Sequence, residues 1–207
     1  MDVFDAIEKR RSVRKYKKVD IPESLVLKIL NAVRLAPSSC NRQPWKLIIV
    51  RDAKTRARIA KACHYVNSSS GKRSIQKWVA EAPIVIVACG LIREANMHYC
   101  NLEGEEPVIH WDWDTYKKES AKHPGEYESV IHYDIAIVLD HLSLVALVEG
   151  LGTCFVAAYD EREIRNILSI PDEVRAPLMM TLGYPNEWPG SSSRKSLSEL
   201  VCYDEYV

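Results

Sequence analysis

Two short basic clusters near opposite ends of the chain hold the residues best suited to bind an anion. Residues 10–14 read Arg-Arg-Ser-Val-Arg, and residues 194–195 read Arg-Lys. Guanidinium groups bind phosphate through charge and paired hydrogen bonds, and a neighbouring hydroxyl group adds another. The clusters therefore predict a phosphate site, although a basic run taken alone is also common on a solvated surface.

A third segment, residues 36–45, supplies small polar groups and tight turns at the end of an apolar run. It reads Ala-Pro-Ser-Ser-Cys-Asn-Arg-Gln-Pro-Trp. Its serines and asparagine are also typical of a turn that closes a helix. Taken with the two basic clusters, the segment predicts a site for a mononucleotide phosphate and a flavin.

The overall charge gives no reason to expect a nucleic-acid partner. The chain has 207 residues, and its 28 Lys and Arg side chains equal its 28 Asp and Glu side chains in number. A balanced charge neither attracts a polyanion nor steers a strongly anionic partner. The length favours a single domain over residues 1–207 with a sizeable core.

The longest apolar stretch, Ile131 to Val148, is interpreted as a buried helix rather than a membrane span. It contains Asp134 and Asp140, and an acidic side chain near the centre of a bilayer costs about 2.5 to 3.5 kcal/mol. We therefore expect no membrane partner.

The six cysteines are scattered without the spacing of a structural zinc site, and His110 with Asp112 offers too few metal ligands. No secretory signal is recognised at the start of the chain. We expect reduced thiols in a cytoplasmic protein that has no metal site.

The hydrophobic pattern predicts alternating helices and strands. Helices are expected after the N-cap Asp2, from Pro22 towards Pro37, from Asp52 to about Cys63, over Gly71–Trp78, from about Val130 to Glu149, and over Asp160–Leu168. Strands are expected over Lys46–Val50, Ile84–Val87, Thr153–Ala158 and Leu178–Gly183. The remaining long segment, 91–128, is rich in aromatic residues and predicts an ordered lid. Its Trp111 and Trp113 fit lid core or a wall that stacks on substrate equally well.

Five segments follow one another in an order that resembles the nitroreductase family. They are the basic start, the 36–45 segment, the strand after Glu81-Ala82-Pro83, residues 149–154 (EGLGTC), and Gly183-Tyr184-Pro185 before Arg194. The resemblance covers almost the whole chain except 91–128. It implies an α+β fold with a central, mainly antiparallel sheet flanked by helices. It also implies an intertwined homodimer with FMN at the interface, and NADH or NADPH as electron donor.

The resemblance also assigns the cofactor-binding residues. The first flavin-binding segment is matched by Arg10, Arg11, Ser12 and Arg14, and the C-terminal phosphate pair by Arg194 and Lys195. The segment that reaches the flavin from the partner subunit is matched by Pro37, Ser38, Ser39 and Asn41. The backbone that meets flavin N5 is matched by Val156, Ala157 and Ala158, and Gln76 is a candidate for the polar edge of the ring.

The implied activity is electron transfer from NAD(P)H to a nitroaromatic, quinone or related flat acceptor by a ping-pong mechanism. Because the flavin itself carries the chemistry, no catalytic acid or base is assigned. Two alternatives stay open. One is reductive dehalogenation of the iodotyrosine deiodinase type, although the Glu, Tyr and Lys of the deiodinase lid cannot be placed in this chain. The other is a flavin-binding protein without catalytic activity, whose lid closes the ring face.

Overall fold

The computed structural model describes residues 1–38, 41–66, 73–91, 118 and 126–206. Its helices are α1 (Val3–Lys9), α2 (Glu23–Val33), α3 (Ala53–Ala62), α4 (Trp78–Glu81), α5 (Glu126–Val148), α6 (Glu161–Leu168) and α7 (Leu197–Leu200). Its strands are β1 (Trp45–Val50), β2 (His64–Val66), β3 (Arg73–Ile75), β4 (Ile84–Leu91), β5 (Gly152–Val156) and β6 (Val174–Gly183).

The central sheet has four strands in the order β1-β4-β6-β5, and every neighbouring pair is antiparallel. Strands β2 and β3 form a separate antiparallel pair. Helices cover the faces of the central sheet. The α+β architecture with a mainly antiparallel sheet, expected from the sequence, is therefore confirmed.

The central strand β4 supplies both halves of the core because its side chains alternate between the two faces of the sheet. Ile84, Ile86 and Ala88 join a cluster with α2 and α5. Val85 and Val87 join a second cluster with α3 and α6. An apolar run such as β4, buried on both faces, is the pattern expected of a strand between two helical layers.

Helix α5 has the length and composition of a membrane span over Ile131–Val148, where the mean hydropathy is 1.6. Half of that window is buried inside the protein. Ile135, Leu139 and Leu142 on its buried side pack against the sheet and α2. This is the position of a core helix, which agrees with the interpretation made from the sequence.

Three helices begin where the sequence predicts, each after an aspartate. The side chains of Asp2, Asp52 and Asp160 accept hydrogen bonds from backbone N–H groups in the first turns of α1, α3 and α6. Such caps satisfy amide groups that have no partner inside the helix. Pro22, expected as the first residue of α2, is instead the cap residue that precedes Glu23.

The helix predicted over Gly71–Trp78 is wrong within the described residues. Arg73–Ile75 forms a strand that pairs with His64–Val66, and only Trp78 begins a helix. Pairing with the preceding strand, β2, has overridden the local pattern. The strand expected over Thr153–Ala158 ends earlier, at Val156, so that Ala157 and Ala158 follow the strand rather than belong to it.

The remaining expectations fall on residues that the structure does not describe. They concern Ser39, Trp111, Trp113 and most of the 91–128 lid. At the described edges of that segment, Leu91 is the last residue of β4, and 126–128 already belong to α5.

Candidate functional site

The first basic cluster lies along the outer edge of β5. Ser12 forms a parallel bridge with Thr153, and the Val13 N–H donates to the Thr153 carbonyl at 2.8 Å. Alternate residues of an extended segment point to opposite sides. Val13 points inward and is fully buried, whereas Ser12 and Arg14 are accessible to solvent.

Gly152 permits this close approach of the two segments. A Cβ atom at position 152 would lie 2.6 Å from Cγ2 and 2.8 Å from Cβ of Val13. Real Cβ atoms do not tolerate such distances, so any side chain here would push the 10–14 segment outward. The glycine between α5 and β5 is therefore needed for packing beneath the basic cluster, besides its place in a helix-to-strand turn.

The 10–14 segment is supported from inside the protein by the buried side chain of Tyr16. Its hydroxyl group donates to the Val13 carbonyl at 2.6 Å and lies 2.7 Å from Thr181 Oγ1 on β6. Burial raises the pKa of the Tyr16 hydroxyl group well above its usual range. The phenol therefore stays protonated and remains a hydrogen-bond donor.

Cys154, the residue after Thr153 on β5, has a buried thiol that donates to the Phe155 carbonyl. Burial raises the pKa of this thiol, and the positive charges of Arg14 and Arg10 oppose that rise. The three predicted phosphate ligands, Arg10, Ser12 and Arg14, therefore belong to one segment that runs beside β5 at Thr153. The sequence signal for this segment is its cluster of three arginines with one serine.

Arg11 differs from its neighbours because its guanidinium group turns back to α1. It donates to the carbonyl groups of Glu8 and Arg10. A cation in this place satisfies carbonyl groups at the helix end and interacts favourably with the helix dipole. The side chain of Arg11 is therefore committed to local structure.

Within the described part of the chain, no carboxylate forms an ion pair with Arg10 or Arg14. The contact recorded for Arg14 is aromatic, since its guanidinium carbon lies 5.6 Å from the centre of the Trp78 ring. Trp78 was not singled out from the sequence, because no local pattern connects it to Arg14.

A second part of the predicted site, Gln76 with residues 156–158, lies at the end of β5. The Gln76 side-chain amide donates to the Ala158 carbonyl at 2.8 Å, and its backbone N–H donates to the Cys63 carbonyl at 2.9 Å. Val156 is buried, whereas Ala157 and Ala158 are exposed. The structure thus brings Gln76 together with the small residues that follow β5.

The loop after α2 is held by its own polar groups. The Ser38 hydroxyl oxygen accepts from the Gln43 N–H at 2.9 Å, and the Asn41 N–H donates to the Ser38 carbonyl at 3.0 Å. Asn41 and Gln43 both have positive φ angles, 53° and 51°, which are uncommon for residues other than glycine. Such backbone strain often occurs at binding sites. Within one chain, no recorded hydrogen bond or ion pair joins Pro37, Ser38 or Asn41 to the basic cluster.

The C-terminal pair is exposed. Arg194 donates to the carbonyl groups of Ser192 and Ser193. The segment that leads to it runs beside the first cluster, because Trp188 donates to the Lys9 carbonyl and Lys15 pairs with Glu187. No recorded hydrogen bond or ion pair joins Arg194 or Lys195 to Arg10 or Arg14.

A cleft of about 500 Å³ lies nearby. Tyr16, Lys17, Lys18, Val19, Asp20, Arg56, Ala80, Glu81 and Pro83 line it, and none of them is a predicted site residue. The predicted residues that the structure describes lie outside this cleft. Among the described residues, no group of three or more His, Cys, Asp or Glu side chains is placed to hold a metal ion.

Known proteins resemble this chain over most of its length. An NADH dehydrogenase of Thermus thermophilus is 30% identical, with 98% of this chain and 96% of that protein covered. An iodotyrosine deiodinase of Thermotoga neapolitana is 24% identical, with 89% of each covered. Among solved structures, an NADPH:FMN oxidoreductase from Vibrio harveyi in complex with NAD⁺ shares the fold with a TM-score of 0.73 at 20% identity, covering 99% of this chain and 77% of that one.

A sequence model of the nitroreductase family matches residues 7–184, which include β1 to β6 and the first basic cluster. This match extends far beyond half of the chain. The chain therefore belongs to the nitroreductase family of oxidoreductases.

Proposed function

We propose that this protein is an FMN-dependent reductase that passes electrons from NADH or NADPH to a nitroaromatic, a quinone or a related flat acceptor. The observation that carries the proposal is the pair of accessible guanidinium groups, Arg10 and Arg14, which flank Ser12 and have no carboxylate partner among the described residues. Cations gathered in this way without a counter-charge favour an anionic ligand.

The donor set fits the phosphate group of FMN. Arg10, Ser12 and Arg14 would hold it from the edge of β5, and Arg194 with Lys195 would add charge from the C-terminal segment. Arg11 would contribute through its backbone, because its side chain is bound to the end of α1.

The residues after β5 fit the flavin ring. Ala157 and Ala158 have small, exposed side chains, which let a ring approach their backbone closely, while Val156 anchors them to the sheet. Gln76 lies at the same place through its bond to Ala158. FMN, when bound, supplies the hydride chemistry, and these residues position it and adjust its electrostatic surroundings. We propose no side chain as catalytic acid or base.

A homodimer would complete this site. None of the described residues of the predicted site lines the cleft beside Tyr16, and Pro37, Ser38, Ser39 and Asn41 would approach the flavin from the partner subunit. One open face of the ring would then take the nicotinamide and the acceptor in turn, which gives ping-pong kinetics. We also propose a single domain with an inserted 91–128 lid and a cytoplasmic location.

The proposal is tested by removing two cations and measuring bound flavin. The Arg10→Ala and Arg194→Ala double variant is expected to fold normally and to lose its FMN, because two charged hydrogen bonds of about 1.5 to 3 kcal/mol each are removed. The matched control is the Arg58→Ala and Lys61→Ala double variant, which removes the same charge from exposed positions of α3. Full flavin content in the first variant would refute the site.

Reductive dehalogenation is the second candidate, and the similarity to the Thermotoga neapolitana iodotyrosine deiodinase supports it. The two activities are separated by giving the flavin-loaded protein a quinone and a halotyrosine under the same conditions. Faster turnover of the quinone is expected, and faster turnover of the halotyrosine would reverse the preference.

A further inference from the structure

Trp78 contacts the proposed site although it is not one of the residues that the resemblance assigns to FMN. Its ring lies 5.6 Å from the guanidinium carbon of Arg14. We propose that Trp78 is a positioning residue that holds the Arg14 guanidinium group in place for the anionic cofactor. This inference rests on the proposed FMN function.

The Trp78 side chain is more restricted than the Arg14 side chain. We therefore expect the indole ring to position the guanidinium group and not the reverse. Trp78 begins α4 and packs, half-buried, against the core cluster formed by α3, β4 and α6. Arg14 is exposed at the edge of the sheet. A long, exposed side chain loses conformational entropy when it is ordered for binding. The indole ring restricts Arg14 before the ligand arrives and so reduces that loss.

An aromatic contact suits this role better than an ion pair would. A carboxylate beside Arg14 would occupy its N–H donors and neutralise its charge. The face of an indole attracts the cation through the ring quadrupole and leaves the donors at the guanidinium edge available to an anion. Within the described residues, Arg14 has this aromatic contact and no ion pair.

The position of α4 in the chain connects Trp78 with the other half of the site. Gln76, two residues earlier, donates to the carbonyl of Ala158. The turn from Gln76 to Trp78 therefore contacts both the basic cluster and the residues that follow β5. A shift of this turn would move both groups of proposed FMN ligands together.

The test is a double-mutant cycle on FMN affinity, measured by quenching of flavin fluorescence in the apoprotein. The variants are Trp78→Leu, Arg14→Gln and their combination, and each is first checked for native secondary structure. Trp78→Leu is expected to raise the dissociation constant about two- to fivefold, which is the range of an exposed cation–π contact. In the Arg14→Gln background, the same change should have almost no effect. Trp78→Phe, which keeps an aromatic face, should recover much of the affinity.

If Trp78→Leu changes the FMN dissociation constant equally in both backgrounds, Trp78 does not act through Arg14 and the inference is overturned. In that case FMN binding by the wild type would leave the proposed function standing. A wild-type protein that takes up no FMN would overturn both. Should Trp78→Leu fail to fold, Trp78→Met replaces it, since its flexible apolar side chain fills more of the same space. The cycle then has the same two outcomes.

Discussion

At the scale of single residues, charge and burial divide the side chains around the site into two groups. Arg10 and Arg14 keep accessible, unneutralised charge at the edge of β5, whereas Tyr16 and Cys154 are buried beneath them and stay uncharged at neutral pH. The buried group holds the segment in place, and the exposed group is available to a ligand. We therefore expect ligand binding to depend on Arg10 and Arg14, and the free energy of unfolding to depend on Val13 and Tyr16.

The buried thiols should resist alkylation in the native protein. Burial raises the pKa of Cys63 to about 12 and that of Cys89 to about 11, and it also raises the pKa of Cys154. Because the thiolate is the reactive form, a three-unit rise lowers the thiolate fraction of Cys63 about a thousandfold at pH 8, and burial also keeps the reagent away from the sulfur. Cys202 is exposed. Brief treatment with iodoacetamide and peptide mass spectrometry should find Cys202 modified and Cys63, Cys89 and Cys154 unmodified.

Two comparisons complete this experiment. In a denaturant all of these thiols should react, and Cys202→Ser should remove the fast component assigned to that residue. Native Cys63 reacting as fast as Cys202 would contradict its burial. The pH dependence has a defined sign, because a pKa raised on folding makes the protein lose stability as the pH rises above the ordinary thiol pKa.

At the scale of elements, the pairing of the 10–14 segment with β5 determines where the cations lie. Gly152→Ala would place a Cβ atom 2.6 Å from Val13 Cγ2, and Val13 is fully buried. Overpacking of this kind costs about 1 to 3 kcal/mol. We expect the free energy of unfolding to fall by that amount in denaturant titrations, and the flavin content to fall as the segment moves outward.

Gly190→Ala is the matched control, since nothing lies within 4 Å of a Cβ atom at that position. It should leave both quantities unchanged. Equal free energies of unfolding for Gly152→Ala and Gly190→Ala would contradict the prediction, because the 10–14 segment would then accommodate the added methyl group without cost.

Elements that carry a local sequence signal were predicted, whereas the short strands β2 and β3, which depend on pairing with each other, were not. The starts of α1, α3 and α6 were predicted because an aspartate cap is a local signal. The helix over Gly71–Trp78 was wrong because Arg73–Ile75 pairs with the preceding strand, β2, and the hydrophobic pattern of the segment itself does not show that pairing. The contact between Trp78 and Arg14 was missed because the two residues are far apart in the chain and neither has a local pattern that points to the other. The basic residues of the candidate site were predicted because clustered charge is visible in the sequence.

At the scale of the whole molecule, exposed apolar side chains mark surfaces that a partner subunit would cover. Phe4 on α1 is 79% exposed, and Leu197 and Leu200 on α7 are 73% and 63% exposed. Large apolar groups in such numbers are typical of protein interfaces. Light scattering is expected to give a mass of twice the 23.6 kDa of one chain.

The tail should contribute to that association. Replacing Leu197 and Leu200 by Glu is expected to raise the dimer dissociation constant about tenfold or more, because two leucines would lose their burial in the proposed interface. Ser198→Glu adds a charge to the same short helix at a polar position and should have little effect. A wild-type mass of 23.6 kDa at micromolar concentration would contradict the proposed dimer.

The most direct test of the central claim is the visible absorption spectrum of the purified protein during anaerobic titration with NADPH and then NADH. The proposed function predicts a yellow protein whose flavin absorption is bleached by one equivalent of nucleotide per bound FMN. A colourless protein that takes up no added FMN would contradict the flavin site, and a yellow protein that neither nucleotide bleaches would contradict the reductase activity.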